Sequence, residues 1–151
     1  MTAVVVGIGQ LAAGDDGVGL HVARVLAARG IEARECSDAS LVLALVEAGR
    51  RVVIVDAVVA PEPGRVLLLD PADLASGPFP LSSHGIGIAD ALALARTLYG
   101  GGDIAIVGIT IASIEGIGLS AAVAAAIEPA AALAAELAGI TASACMYPDR
   151  S

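Results

Sequence analysis

The segment AVVVGIGQLAAGDDGVGLHVARVLAARG, residues 3–30, contains a predicted strand, a glycine-rich turn and a predicted helix in direct succession. Its first residues are mostly β-branched and apolar, which is typical of a strand that is buried on both faces. Asp15 or Asp16 can cap the start of a helix predicted at residues 16–29, and Gly30 can end it. The apolar residues of this helix share one stripe: Val18, Val22, Val25 and Leu26. The segment therefore predicts a strand followed by an amphipathic helix.

The same alternation continues along the rest of the chain. Continuous apolar runs predict strands at residues 51–55, 65–69 and 103–111, and a weaker strand is predicted at 31–36. Helical patterns follow at residues 40–48, 84–98 and 119–138, and Pro129 favours a kink in the last of them. Alternating elements of this kind predict a three-layer α/β/α sandwich with a mostly parallel, twisted sheet of about five strands. We expect one domain over residues 1–151, with an irregular tail at 140–151.

The composition argues against several classes of function. A formal net charge of -8 and an aromatic content of 2% provide neither a basic surface nor stacking side chains, so we expect no nucleic-acid partner. The hydrophobic content is 57%, but no uninterrupted apolar stretch reaches the roughly 18 residues that a membrane-spanning helix needs, so we expect no membrane partner. The first residues lack the basic region and cleavage site expected of a secretory signal, and the chain has two cysteines, Cys36 and Cys145. These features predict a cytoplasmic protein without a disulfide framework.

Three polar residues stand where the crevice of such a sheet is expected, beyond the carboxyl ends of its strands. Asp16 lies at the start of the first helix, Asp56 ends the apolar run VVIVD, and His84 begins a later helix. A carboxylate at the tip of a buried strand needs donors, a cation or water around it. A helix N-terminus favours the neutral, metal-binding form of an imidazole. Two carboxylates and an imidazole suit a divalent transition metal, and nickel lies near the top of the affinity order.

Each of these residues also has a purely structural interpretation. Asp16 can be a helix N-cap, Asp56 a strand-end carboxylate that accepts backbone N–H bonds, and His84 a member of a cap region. Taken singly, these roles are at least as common as metal binding, and it is the expected convergence on one edge that favours a site. His21 and Asp90 are interpreted as solvated helix residues.

Nucleophilic catalysis has weaker support in the sequence. Ser82, Ser83 and His84 are adjacent along the chain, which does not by itself supply the geometry of nucleophile, base and orienting group. Cys36 could pair with His84, but a buried, inert cysteine is the commoner case.

A dinucleotide site is a further alternative. Gly7, Gly9 and Ala12 match the pattern G-x-G-x-x-A after a strand, and Glu35 could stand for the acid that binds the ribose. In such a site the helix begins within the motif, so that its N-terminus meets the pyrophosphate. Here Asp15 and Asp16 delay the helix and place two negative charges where the phosphates would lie.

Four motifs in order resemble those of the nickel-iron hydrogenase maturation proteases. They are GIGQLAAGDDGVG at residues 7–19, VDAV at 55–58, SSHGIGIADALALA at 82–95 and GIGLSAAV at 116–123. The likeness extends over residues 4–127. At 36–40 the chain has CSDAS where many relatives have a glycine-rich DGGT segment, and Gln10 replaces a frequent asparagine. No role is therefore transferred to Asp38.

The resemblance implies an endopeptidase that removes a short C-terminal extension from the large-subunit precursor of a nickel-iron hydrogenase once nickel has been inserted. It assigns metal recognition and catalysis to Asp16, Asp56 and His84, in the manner of an aspartyl-type protease that activates another enzyme. Nickel is expected to arrive with the precursor, and no organic cofactor is expected. A nickel-binding chaperone without catalytic activity and a dinucleotide-binding oxidoreductase are the other classes of function that the sequence allows.

Overall fold

The alternation of strands and helices folds into one mixed sheet covered on both faces. The computed structural model describes residues 3–9, 14–15, 17–37, 39–69, 88–100, 103–112 and 119–139. The five-stranded sheet has the order β2-β1-β3-β5-β4, in which only β4 runs antiparallel. The elements are β1 (Ala3–Ile8), α1 (Val18–Ala28), β2 (Ala33–Cys36), α2 (Ser40–Glu47), β3 (Arg51–Val59), β4 (Val66–Leu69), α3 (Ile88–Tyr99), β5 (Ile104–Ile111), α4 (Ala121–Ala125) and α5 (Ile127–Leu137).

Two hydrophobic clusters separate the three layers. Alternate residues of a strand point to opposite faces of the sheet. Val5 of β1 accordingly joins a cluster with α1, α4 and α5, whereas Val4 and Val6 join a second cluster with α2 and α3. Because the central strands are covered on both faces, they are apolar throughout rather than alternating. The predicted three-layer α/β/α sandwich with a mostly parallel sheet is confirmed.

Strand β3 is longer than the sequence predicted. Its pairing with β1 runs from Ala3 opposite Arg51 to Gly7 opposite Val55, but its pairing with β5 continues until Val59 lies opposite Ile111. Asp56 therefore lies inside β3 and does not end it. The strand continues because Ala57 and Val58 are buried and apolar, and all residues up to Val59 keep their partners on β5.

The last predicted helix is divided into α4 and α5, with Ala126 between them. Pro129 has no N–H to donate to the carbonyl four residues earlier, and its ring would clash with that carbonyl in a continuous helix. In α5 it lies in the first turn, where a missing N–H does no harm. The predicted kink is thus a break between two helices. Within the part of the chain that the structure describes, no helix is both long and apolar enough to cross a membrane.

Candidate functional site

Asp56 lies at the point where the order of the strands reverses. From β1 the chain passes through α1 to β2 on one side, and the strands that follow β3 lie on the other side. Such a switch point opens a crevice beyond the carboxyl ends of the two central strands. Val55 is the last residue of β3 that pairs with β1, and Asp56 follows it directly. The carboxylate therefore lies at the carboxyl edge, by which we mean the edge of the sheet where the parallel strands end.

The side chain of Asp56 is completely buried, with 0% of its surface exposed. Its Oδ1 accepts a hydrogen bond of 2.7 Å from the backbone N–H of Ala57. By strand alternation it faces the same side of the sheet as Val52 and Ile54, which pack under α2 and α3. An ionised carboxylate in such surroundings is expensive unless donors or a cation compensate for the lost water. The bond from Ala57 matches the structural interpretation of Asp56 as a carboxylate that accepts backbone N–H bonds, and its complete burial at the switch point also makes it a candidate for chemistry.

Two glycines bring the start of α1 into direct contact with this edge. A Cβ atom added at Gly19 would lie 2.4 Å from the carbonyl oxygen of Val55 and 2.6 Å from that of Ile8. A Cβ atom at Gly7 would lie 2.2 Å from the carbonyl oxygen of Gly19. Any side chain at either position would force the helix away from the strands. The first and last glycines of the motif at residues 7–19 therefore seat the first turn of α1 next to Asp56.

Asp15 does not cap α1, although the sequence allowed either Asp15 or Asp16 to do so. The N-cap of α1 is Gly17, which makes no side-chain capping bond. Asp15 lies two residues before this N-cap, and its carboxylate instead binds Ser120, which is the N-cap of α4. Oδ1 accepts a 2.7 Å bond from the Ser120 N–H, and Oδ2 accepts a 2.9 Å bond from its hydroxyl. Asp15 thus binds the N-terminal end of a helix, but that helix is α4, which is distant in the sequence.

The structure places one of the three predicted site residues. Asp56 is described, whereas Asp16 and His84 lie outside the described residues, as does Asp38. Among the residues that are described, no three His, Cys, Asp or Glu side chains form a group that could hold a metal ion. Asp90 is exposed on α3, as predicted.

The features that suggested a dinucleotide site have other uses in the structure. Gly7 seats α1 on the sheet, and α1 begins only at Val18, well beyond the glycine pattern. Glu35, the candidate ribose ligand, forms an ion pair with Arg24 at 3.0 Å. The hydrogen bond from Arg24 to Glu35 and their charge attraction raise the pKa of the Arg24 guanidinium. These contacts argue against the dinucleotide interpretation.

A buried threonine that the sequence did not single out holds the loop between β3 and β4. The hydroxyl of Thr110 donates to the carbonyl oxygen of Glu62 and accepts from the N–H of Arg65, both at 2.7 Å. The backbone of Thr110 binds Arg65 and Gly64 as well, each at 2.8 Å. Thr110 is 2% exposed. A polar residue within the apolar β5 run was the available signal, since buried hydroxyls are nearly always bonded.

Several solved structures share this fold. The NiFe hydrogenase maturation protease HybD from Thermococcus kodakarensis is 29% identical, with a TM-score of 0.78 over 91% of this chain and 99% of that one. The hydrogenase maturating endopeptidase HybD from E. coli is 28% identical, with a TM-score of 0.74 over 92% of this chain and 94% of that one. The endopeptidase HycI from Escherichia coli is 25% identical, with a TM-score of 0.68 over 92% and 90% of the two chains.

The match to a sequence family agrees with these structural neighbours. The family model HycI, described as hydrogenase maturation protease, matches residues 37–137. No curated protein sequence matches the chain significantly. The chain belongs to the hydrogenase maturation protease family, and it is accordingly a hydrolase of the endopeptidase type.

Proposed function

We propose that this protein removes the C-terminal extension of a nickel-iron hydrogenase large-subunit precursor in the cytoplasm, after nickel has been inserted. In this proposal Asp16, Asp56 and His84 recognise the nickel that the precursor carries. The observation that carries the proposal is the fully buried carboxylate of Asp56 at the switch point of the sheet, in a chain of this family. The precursor is thus both substrate and partner.

The chemistry of the three side chains fits nickel. Asp16 and Asp56 supply carboxylate oxygens and His84 supplies an imidazole nitrogen, a mixed set that suits a divalent transition metal. A cation beside a buried carboxylate also offsets the loss of water around that group. A divalent ion held by these residues would supply Lewis-acid chemistry to a nearby peptide carbonyl.

The burial of Asp56 explains how nickel can control cleavage. A buried charge has little water to screen it, so a divalent cation in the crevice is attracted far more strongly than at the surface. The contacts of Gly7 and Gly19 seat α1 against the strand ends that form this crevice, so that the site need not reorganise when the precursor arrives. A precursor without nickel presents no cation to Asp56. It is therefore bound weakly or held in the wrong position and stays uncut.

The decisive experiment compares nickel-loaded with nickel-free precursor. Purified protein is incubated with each form, and the loss of the C-terminal peptide is followed by mass spectrometry. We expect cleavage of the nickel-loaded form alone. Equal cleavage of both forms would contradict recognition of nickel, and bound nickel with no change in precursor mass would indicate a chaperone rather than a protease.

Substitutions at the two proposed ligands outside the described residues test the assignment of the site. His84→Ala and Asp16→Asn should each abolish processing, while circular dichroism and the melting temperature stay close to those of the wild type. Asp90→Asn serves as the matched control, because Asp90 is exposed on α3. Full activity in either ligand variant would remove that residue from the site.

A further inference from the structure

The contact between Asp15 and Ser120 distinguishes Asp15 from the adjacent Asp16. We propose that Asp15 is a positioning residue, which holds the start of α1 at the carboxyl edge and leaves recognition of the metal to Asp16. We call the pair of hydrogen bonds between Asp15 and Ser120 the clamp. This inference rests on the proposed function, since it concerns the same site.

Both oxygens of the Asp15 carboxylate take part in the clamp. Oδ1 accepts from the Ser120 N–H at 2.7 Å, and Oδ2 accepts from the Ser120 hydroxyl at 2.9 Å. A carboxylate that accepts one bond at each oxygen is fixed in both position and rotation. The atoms that would have to ligate a metal are therefore already engaged in Asp15.

The side chain of Ser120 does not make the hydrogen bond that an N-cap serine usually makes. An N-cap serine normally accepts a hydrogen bond from an N–H in the first turn of its own helix. Ser120 is the N-cap of α4, with an extended backbone at φ -67 and ψ 161, yet its side chain makes no capping bond. Its hydroxyl donates to Asp15 instead. The geometry thus favours the link between the two segments over the ordinary cap.

The helix that carries Ser120 is itself anchored, so it can serve as a fixed point. Val123 of α4 is buried in the cluster beneath α1 and α5. Gly64 lies so close to α4 that a Cβ atom there would be 2.7 Å from the carbonyl oxygen of Ala122. The loop that contains Gly64 is in turn bonded to Thr110 of β5. The clamp therefore ties Asp15 to β5 through a series of close contacts.

The chain is equally well fixed on the other side of Asp16. Gly17 is buried, and Gly19 lies against the carbonyl oxygens of Ile8 and Val55. Asp16 thus stands in the sequence between one residue held by the clamp and another held by the sheet. A catalytic group displaced by about 1 Å can lose about 100-fold in rate. Loss of the clamp should accordingly reduce turnover of the precursor more than its binding.

Replacing Asp15 in two ways separates position from charge. Asp15→Asn keeps a carbonyl oxygen for the Ser120 N–H and an amide that can donate to the hydroxyl, so kcat on nickel-loaded precursor should stay within about threefold of wild type. Asp15→Ala removes both bonds and should lower kcat about 10- to 100-fold with little change in KM. Ser120→Ala should fall between them, and the double variant Asp15→Ala/Ser120→Ala should be no worse than Asp15→Ala alone. Asp103→Ala, an exposed acid at the opposite edge, is the control and should match wild type.

Three results would overturn the inference. The first is an Asp15→Asn variant as inactive as Asp16→Asn, since the charge of Asp15 would then be used directly. The second is an Asp15→Ala variant with wild-type kcat. The third is a slow exchange of the Ser120 amide proton with solvent, measured by NMR, that stays unchanged in Asp15→Ala. If the wild-type protein leaves the precursor intact, the proposed function fails instead, and the exchange measurement still decides whether the clamp exists.

Discussion

The two edges of the sheet handle polar groups differently. At the amino edge, where the parallel strands begin, charges meet as exposed ion pairs such as that of Arg51 with Asp103, whose side chains are 39% and 53% exposed. At the carboxyl edge two of the described polar side chains are buried instead, Asp56 at 0% and Thr110 at 2% exposure. The Arg51–Asp103 pair thus stays in contact with water, whereas Asp56 and Thr110 do not.

This difference predicts which edge tolerates substitution. An exposed ion pair contributes about 0–1 kcal/mol, because water and salt replace the lost partner. A buried polar group that loses its partner costs about 1–3 kcal/mol, because no water takes the place of that partner. Similar substitutions at the two edges should therefore have unequal effects, and the carboxyl edge should also be the one that affects activity.

The largest contrast is expected between Asp56→Asn and Asp103→Asn. Asparagine at position 56 keeps the size of the side chain and can still accept from the Ala57 N–H, but it carries no charge for the metal. We expect processing of nickel-loaded precursor to fall by about 100- to 1000-fold, with the melting temperature nearly unchanged. Asp103→Asn should leave both quantities within error of wild type. Comparable rates in the two variants would remove Asp56 from the site.

The second contrast concerns close packing of the backbone. Gly19→Ala places a methyl group 2.4 Å from the Val55 carbonyl oxygen and should destabilise the fold by about 3 kcal/mol or more, because both neighbours are backbone atoms that cannot easily move. Gly30→Ala at the amino edge meets nothing within 4 Å but adopts φ +85, so it should cost only about 1–2 kcal/mol of backbone strain. Urea unfolding monitored by circular dichroism measures both. A Gly30→Ala variant as unstable as Gly19→Ala would contradict the contrast.

A smaller effect is expected when the buried hydroxyl of Thr110 is removed. Thr110→Val leaves the Glu62 carbonyl and the Arg65 N–H without this partner, and we expect a loss of about 1–3 kcal/mol. Thr97→Val is the matched control, because Thr97 is on the exposed surface of α3 and its hydroxyl donates to the carbonyl oxygen of Ala93 in the same helix. That change should stay below about 0.5 kcal/mol. Equal losses of stability in Thr110→Val and Thr97→Val, measured by thermal unfolding, would show that the burial of Thr110 is not the cause.

Most of the fold could be predicted because the strands have such uniform burial. Strand β1 has the predicted bounds, Ala3–Ile8, and β5 (Ile104–Ile111) differs from its prediction by one residue. In both, continuous apolar residues reflect helices on two faces of the sheet. The pattern failed at β3, where a carboxylate within an apolar run was interpreted as an end. Whether a strand continues past Asp56 depends on its partners in β5, which lie far away in the sequence.

The contacts of the site were harder to predict than its location. Topology alone places Asp56 at the carboxyl edge, since the switch point of an open α/β sheet lies where its two central strands run out into the crevice. Local rules, however, assigned Asp15 to the nearest helix start, whereas its partner Ser120 is 105 residues away. The glycines at 7 and 19 were recognised as part of a motif, but their mutual contact follows only from how α1 packs. Spacing along the chain carries no information about such tertiary contacts.

The smallest effect should come from the ion pairs of the amino edge. The hydrogen bond from Arg50, with further help from Arg34, lowers the pKa of Glu32 below its usual value of 4.5. A carboxylate with a lowered pKa in the folded state stabilises the protein above its unfolded pKa, and this contribution is lost as the pH falls through the folded value. Because the Glu32 side chain is 42% exposed, Glu32→Gln should cost less than about 1 kcal/mol near neutral pH.

This loss from Glu32→Gln should shrink as the pH falls below about 4.5, since the wild type then loses the same charge. Urea unfolding at a series of pH values measures it. Glu62→Gln is the control, since that side chain is 79% exposed and lies 3.9 Å from Arg65, so the stability of this variant should stay within about 0.5 kcal/mol of wild type. A loss of stability in Glu32→Gln that stays constant down to pH 3 would assign the effect to packing and not to charge. Packing would then matter more at the amino edge than the exposure of its side chains indicates.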